Sequence, residues 1–201
     1  MSALELIVAY VRQRARLRLF VPLSILLALA GRWMVASTDV SIGAIAIAAL
    51  EALGLALAFR IWDDVEDRDA DRIRHPDRVM ATASTTAPFY ALGLVCSSAA
   101  ILPLISGPSA LRRLGALSLA AAMLSIWYGF RSRDRSHALE EHVLTIKYPL
   151  IAYAVAPELP VDVLTLRIAA ILIVLYVFIC VYEYAEDVEL RQIFTSRRSV
   201  P

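Results

Sequence analysis

Only two charged residues, Glu51 and Arg60, interrupt the stretch from residue 41 to 62. A run of about 20 mostly apolar residues is long enough to cross a bilayer as a helix. Lipid offers no partner for a free backbone N–H or C=O, so such a run must bond its own main chain. Five further stretches share this character: 17–36, 85–105, 113–130, 143–156 and 163–182. With 59% hydrophobic residues and a mean hydropathy of +0.64, the chain is too apolar for an ordinary soluble domain. The expected fold is all-α: a polytopic, multi-pass integral membrane bundle of about six transmembrane helices in one domain spanning 1–201. Its non-spanning parts would be a basic arm at 1–16, an acidic loop at 63–84 and a tail at 190–201. The fifth stretch is short and carries Lys147 and Pro149. It is expected to be tilted, broken or partly re-entrant, which requires surrounding protein or a wet cavity.

Charge sets the orientation. Arg12, Arg14, Arg16, Arg18, Arg68, Arg72, Arg78, Arg131 and Arg197 fall on one side of the six expected spans, and little beyond Arg112 and Arg113 falls on the other. The positive-inside rule then puts both termini and the acidic loop in the cytoplasm. The net charge of +1 leaves no dominant basic face for nucleic acid. The arginines before the first apolar stretch lack a clear small-residue cleavage site after it, as expected of an uncleaved anchor. Cys96 and Cys180 lie in apolar runs without metal-ligand spacing and read as small hydrophobes.

The second stretch runs into Arg60-Ile-Trp-Asp-Asp-Val-Glu-Asp-Arg-Asp-Ala-Asp-Arg72. Asp63, Asp67 and Asp71 recur every four residues, along one face of a helix. Like charges so arranged repel unless cations join them, and oxygen clusters suit Mg²⁺ shared with phosphates. The plain alternative is a solvated helix extension paired with Arg68, Arg72 and Arg74. A second acidic run, Tyr182-Glu-Tyr-Ala-Glu-Asp-Val-Glu189, closes the sixth stretch on the same expected side. Two acidic helix ends flanked by arginines fit a metal–diphosphate site.

The run Asp63–Arg78 resembles the first aspartate-rich motif of the UbiA superfamily of intramembrane prenyltransferases. Asp64, Asp67 and Asp71 match its acidic positions, and Arg72, Pro76, Asp77 and Arg78 match its continuation. Asp63 stands where the family usually has Asn, and Val79 where it often has Pro. Leu144-Thr-Ile-Lys-Tyr-Pro149 resembles the family's Leu-Lys-x-x-Pro stretch. The cluster around Asp187 falls where the second acidic motif belongs, with altered spacing and Arg191 where an acid is usual. The family typically has nine spans, and this sequence ends after the sixth. A homo-oligomer or membrane partner is therefore expected to cover the flank of the missing three.

The resemblance implies Mg²⁺-dependent ionisation of an allylic prenyl diphosphate within the membrane, as part of isoprenoid biosynthesis. Asp64, Asp67, Asp71 and Asp187 would be catalytic, and Asp63, Asp64, Asp67, Asp71, Glu183 and Asp187 would hold metal. Arg72, Arg78 and Lys147 would bind diphosphate. Trp62, Tyr148 and Tyr184 would stabilise the allylic cation, although aromatics at these depths also form headgroup belts. Lys147 has snorkelling as its alternative. Glu51, deep in the second stretch, reads either as a neutral acid paired with Arg32 or as a base in a prenyl tunnel. Three functions stay open: transfer of the prenyl group to an aromatic or lipid acceptor, cyclisation by a terpene synthase of the same superfamily, and non-catalytic binding of an isoprenoid phosphate.

Overall fold

The structure, a computed structural model, describes residues 2–35, 41–107, 109–130, 143–157 and 166–197, with side chains described as far as Tyr182. The described residues are helical apart from short turns. In chain order the helices are α1 (Ala3–Gln13), α2 (Leu17–Val35), α3 (Ile42–Glu66), α4 (Arg68–Arg74), α5 (Val79–Thr82), α6 (Ala87–Ile105), α7 (Ala110–Phe130), α8 (Lys147–Val155) and α9 (Leu166–Arg197). Four of them, α2, α3, α6 and α7, are long and apolar enough to cross a membrane. The apolar parts of α8, extended back to Val143, and of α9, Leu166–Tyr182, are shorter. At 1.5 Å per residue, the thirteen residues of Val143–Val155 reach about 20 Å, short of the roughly 30 Å hydrocarbon layer.

Local chemistry explains the helix boundaries. Ser2 and Glu5 form a reciprocal capping box on α1. The Ser41 hydroxyl accepts the Ala44 N–H at the start of α3. Pro88 sits in the first turn of α6, where its missing N–H costs nothing. At the far end of α8, Arg112 donates to the carbonyls of Tyr153, Ala156 and Pro157 at 3.0, 3.0 and 3.2 Å. Arg113 adds a bond to the Ala156 carbonyl at 3.3 Å. These arginines satisfy the orphan carbonyls that a helix end leaves in apolar surroundings.

The bundle buries small residues at its crossings. α3 packs on both α2 and α6. A Cβ on Gly54 would come within 2.9 Å of the Cys96 carbonyl oxygen and 3.1 Å of the Ala100 Cβ. One on Gly31 would meet the Ala152 carbonyl oxygen at 2.7 Å. Without side chains at these two positions the backbones approach closely, the usual basis of helix association in lipid. α8 is the central element: it touches α2, α3, α7 and α9, and Tyr148, Ile151, Ala152, Ala154 and Val155 are all buried. Meanwhile Ile47, Leu50, Leu94, Val95, Val174 and Val177 face outward. Apolar side chains turned outward in this way suit helices long and apolar enough to cross a membrane.

The expected acidic loop at 63–84 is largely helical. α3 runs on to Glu66, and the ladder passes through Asp67 into α4. The Asp67 N–H bonds the Asp63 carbonyl at 2.9 Å, and the Asp71 N–H bonds the Asp67 carbonyl at 2.8 Å. α1 then folds over this segment. Its Leu6 and Tyr10 join Ile61, Met80, Ala83 and Phe89 in a second, smaller core. Gln13 donates to the Asp77 carbonyl at 3.2 Å and accepts the Val79 N–H at 2.8 Å, tying the 76–79 turn to α1.

Candidate functional site

The carboxylates at the end of α3 are buried and held by cations. Asp63 and Asp64, in the last turns of α3, are 4% and 3% exposed. The ammonium of Lys147 ion-pairs with Asp63, and the Tyr128 hydroxyl donates to the other Asp63 oxygen at 2.8 Å. Asp64 collects more partners. Arg14 donates through Nε at 3.2 Å and through its terminal nitrogen at 2.5 Å, the two-pronged geometry that matches a carboxylate. The Tyr10 hydroxyl donates at 2.9 Å, and Arg60, one turn back on α3, lies at 3.2 Å. Burial, then the neighbouring Asp64 charge, pushes the Tyr10 phenol well above its ordinary range, so it stays a donor. Asp71, also buried, pairs with Arg78 at 2.5 Å.

The other expected residues are placed more loosely. Asp67 is half-buried at the joint between α3 and α4. Arg72 is exposed, donates to the Ala81 carbonyl at 3.3 Å and pairs with Asp69 at 3.2 Å. In this arrangement it braces α5 rather than lining a cavity. Arg68 braces the same segment through the carbonyls of Met80 and Ala83. The Trp62 indole donates to Glu66 at 3.1 Å and its ring stands 6.3 Å from Phe59 and 6.4 Å from Tyr128. Tyr148 is buried, with the Lys147 ammonium 5.4 Å from its ring centre. Glu183, Tyr184 and Asp187 lie on α9, which continues helical through the second acidic run, but their side chains lie outside the described residues. Glu51 is buried in the middle of α3.

A cleft of about 560 Å³ opens beside these pairs. Arg14, Arg16, Arg18, Arg60 and Arg78 line its polar side. Leu19, Leu23 and Leu26 of α2 and Phe178 of α9 line its apolar side. Tyr148 also lines it.

The described carboxylates do not fit Mg²⁺ in this arrangement. The ion needs oxygen ligands in near-octahedral order. Yet oxygens of Asp63, Asp64 and Asp71 already accept bonds from an ammonium, two phenols and three guanidinium groups. Among the described residues no three carboxylate, imidazole or thiol groups converge.

Sequence reasoning missed Tyr10, Arg14 and Tyr128, which reach the acids from 54, 50 and 65 residues away. Arg60 did carry a local signal: a cation four residues before Asp64 on one helix face. Comparison with protein-family models gave no match, and neither curated proteins nor solved structures gave one.

Proposed function

We propose that this is a multi-pass membrane enzyme of prenyl-diphosphate chemistry, with its termini and charged segments in the cytoplasm. It would ionise an allylic prenyl diphosphate and transfer the prenyl group to an aromatic or lipid acceptor. One observation carries this reading: a single cleft joins five arginines to an apolar wall, next to buried aspartates and aromatic rings. Such a cleft suits a ligand with an anionic head and a hydrocarbon tail. The sequence resemblance of Asp63–Arg78 to the UbiA motif supports the same class. The motif match suggests the chemistry; the cleft suggests how this chain holds the substrate.

In this reading the bond between the allylic carbon and the diphosphate oxygen breaks heterolytically, and its electron pair leaves with the diphosphate. Guanidinium groups such as Arg60 and Arg78 meet the growing charge on the leaving group. The allylic cation sits against Tyr148, whose π face stabilises it while the apolar wall excludes water; Trp62, expected in this role, does not line the cleft. A nucleophilic carbon or oxygen of the acceptor forms the new bond and loses its proton to water or to the departed diphosphate.

A second reading rests on the cation-held state of Asp63 and Asp64. Carboxylates engaged in this way suit a protein that binds an isoprenoid phosphate without breaking it. Purified protein in nanodiscs, given geranyl, farnesyl and geranylgeranyl diphosphate with Mg²⁺ supplied, separates the outcomes. A prenylated product that forms only with acceptor supports the transferase. A cyclic hydrocarbon or alcohol formed without acceptor would replace it with a terpene cyclase. Retained binding with no product from any of the three would leave the non-catalytic reading.

A further inference from the structure

The arginines of the cleft come from separate parts of the chain. Arg14 and Arg16 lie in the link between α1 and α2, Arg18 in the first turn of α2, Arg60 on α3 and Arg78 after the turn at Pro76. Among the described lining residues there is no carboxylate. Asp64 and Asp71 lie behind the arginines, where they fix the directions of Arg14, Arg60 and Arg78. A guanidinium held by a buried acid on one edge keeps its other N–H groups for a ligand, and its side chain loses little freedom on binding.

The apolar half has a direct geometric basis. Leu19, Leu23 and Leu26 recur at helical spacing along about 10 Å of α2. Phe178 and Ile179 of α9 also line the cleft. A cavity of about 560 Å³ lies in the usual range for one small ligand, which suits one tail better than two.

We propose that this cleft binds a phosphorylated single-tailed lipid through its arginines, without a divalent ion. The proposal deepens the prenyl-diphosphate reading and rests on it for the ligand class. It departs from that reading on one point: the aspartates act as supports for arginines during binding, and the anion is held by the arginines. Arg16 and Arg18 are the positions to alter, since both side chains are exposed and neither belongs to a buried core.

The test measures binding of radiolabelled farnesyl monophosphate to the full chain in phosphatidylcholine nanodiscs, in EDTA and in Mg²⁺, with turnover of farnesyl diphosphate followed separately. Binding in EDTA within about threefold of that in Mg²⁺ is expected. Arg16→Gln with Arg18→Gln should weaken it by on the order of 10- to 100-fold, the loss typical of hydrogen bonds to a charged group. Leu23→Trp, which fills the apolar half and leaves every arginine, should also weaken it, while inorganic diphosphate should compete poorly. Binding that requires Mg²⁺ overturns the inference while leaving the proposed function intact. Product formation absent under all conditions, with binding in EDTA retained, overturns the proposed function and leaves the inference standing. Unchanged binding in the double variant, or full displacement in nanodiscs of phosphatidylglycerol, would show that the cleft does not select this ligand.

Discussion

Lys147 of α8 and Asp63 of α3 form a buried ion pair across 84 residues of sequence, with side chains only 4% and 6% exposed. The pair joins the central helix of the bundle to the end of the longest clearly membrane-competent one. Taking both charges out of water is costly, and their attraction offsets that cost only while both are present. Lys147→Met should therefore destabilise the protein by about 3–5 kcal/mol, because it strands a buried carboxylate. Asp63→Leu combined with Lys147→Met should recover more than half of that loss. Thermal unfolding in detergent measures both; equal losses in the single and double variants would mean the pair is not the buried contact described.

Close packing of α3 on α6 depends on Gly54. Its missing side chain leaves room for the Cys96 carbonyl and the Ala100 methyl. Gly54→Leu should cost about 1–3 kcal/mol or more through overpacking. Gly115 of α7 has nothing within 4 Å of its Cβ position, so Gly115→Leu is the matched control and should fold as well as wild type. The comparison is read by monodispersity and melting temperature, and equal behaviour of the two variants would argue against the α3–α6 crossing.

The docking of α1 has an acid-sensitive end and a buried hydroxyl anchor. Bonds from the Ser2 backbone and side chain hold the Glu5 carboxyl below the usual range. A depressed folded-state value means the cap contributes above the unfolded value, near pH 4.3, and is lost as pH falls through the lower folded value. Amide exchange in the first turn of α1 should therefore quicken on acidification, and Glu5→Gln should remove that pH dependence. Tyr10→Phe removes one donor from buried Asp64 and should loosen the whole of α1 by about 1–3 kcal/mol. Protease access to the 14–16 link then reports the loosening.

The four long apolar stretches were readable from the sequence to within a few residues, because lipid imposes a length and a composition together. The stretch at 85–105, for instance, became α6 at Ala87–Ile105. The role of the fifth was not readable. Its shortness and its lysine suggested an irregular segment surrounded by protein; α8 is a short helix packed among α2, α3, α7 and α9, and its Lys147 pairs with Asp63, a partner that only the fold reveals. The acidic stripe was visible as a pattern, and its helical continuity through Asp67 followed from the spacing. Its partners were not visible, since Tyr10, Arg14 and Lys147 meet it only after the chain folds. Arg72 matched a motif position, but its neighbours Asp69 and Ala81 use it to hold α5. A motif fixes residue types, whereas the contacts those residues make depend on which elements pack beside them.

Ionisation of the allylic diphosphate is read directly by release of inorganic diphosphate from farnesyl diphosphate, with wild type and Arg60→Gln measured side by side in nanodiscs and Mg²⁺ supplied. Asp64 keeps its bonds from Arg14 and Tyr10 when Arg60 is lost, so folding should be spared. Release by wild type is expected, with a fall on the order of 10² or more in the variant, the scale of losing one electrostatic contribution to the transition state. Equal release by the two proteins, or none by wild type with geranyl, farnesyl or geranylgeranyl diphosphate, would contradict the ionisation reading.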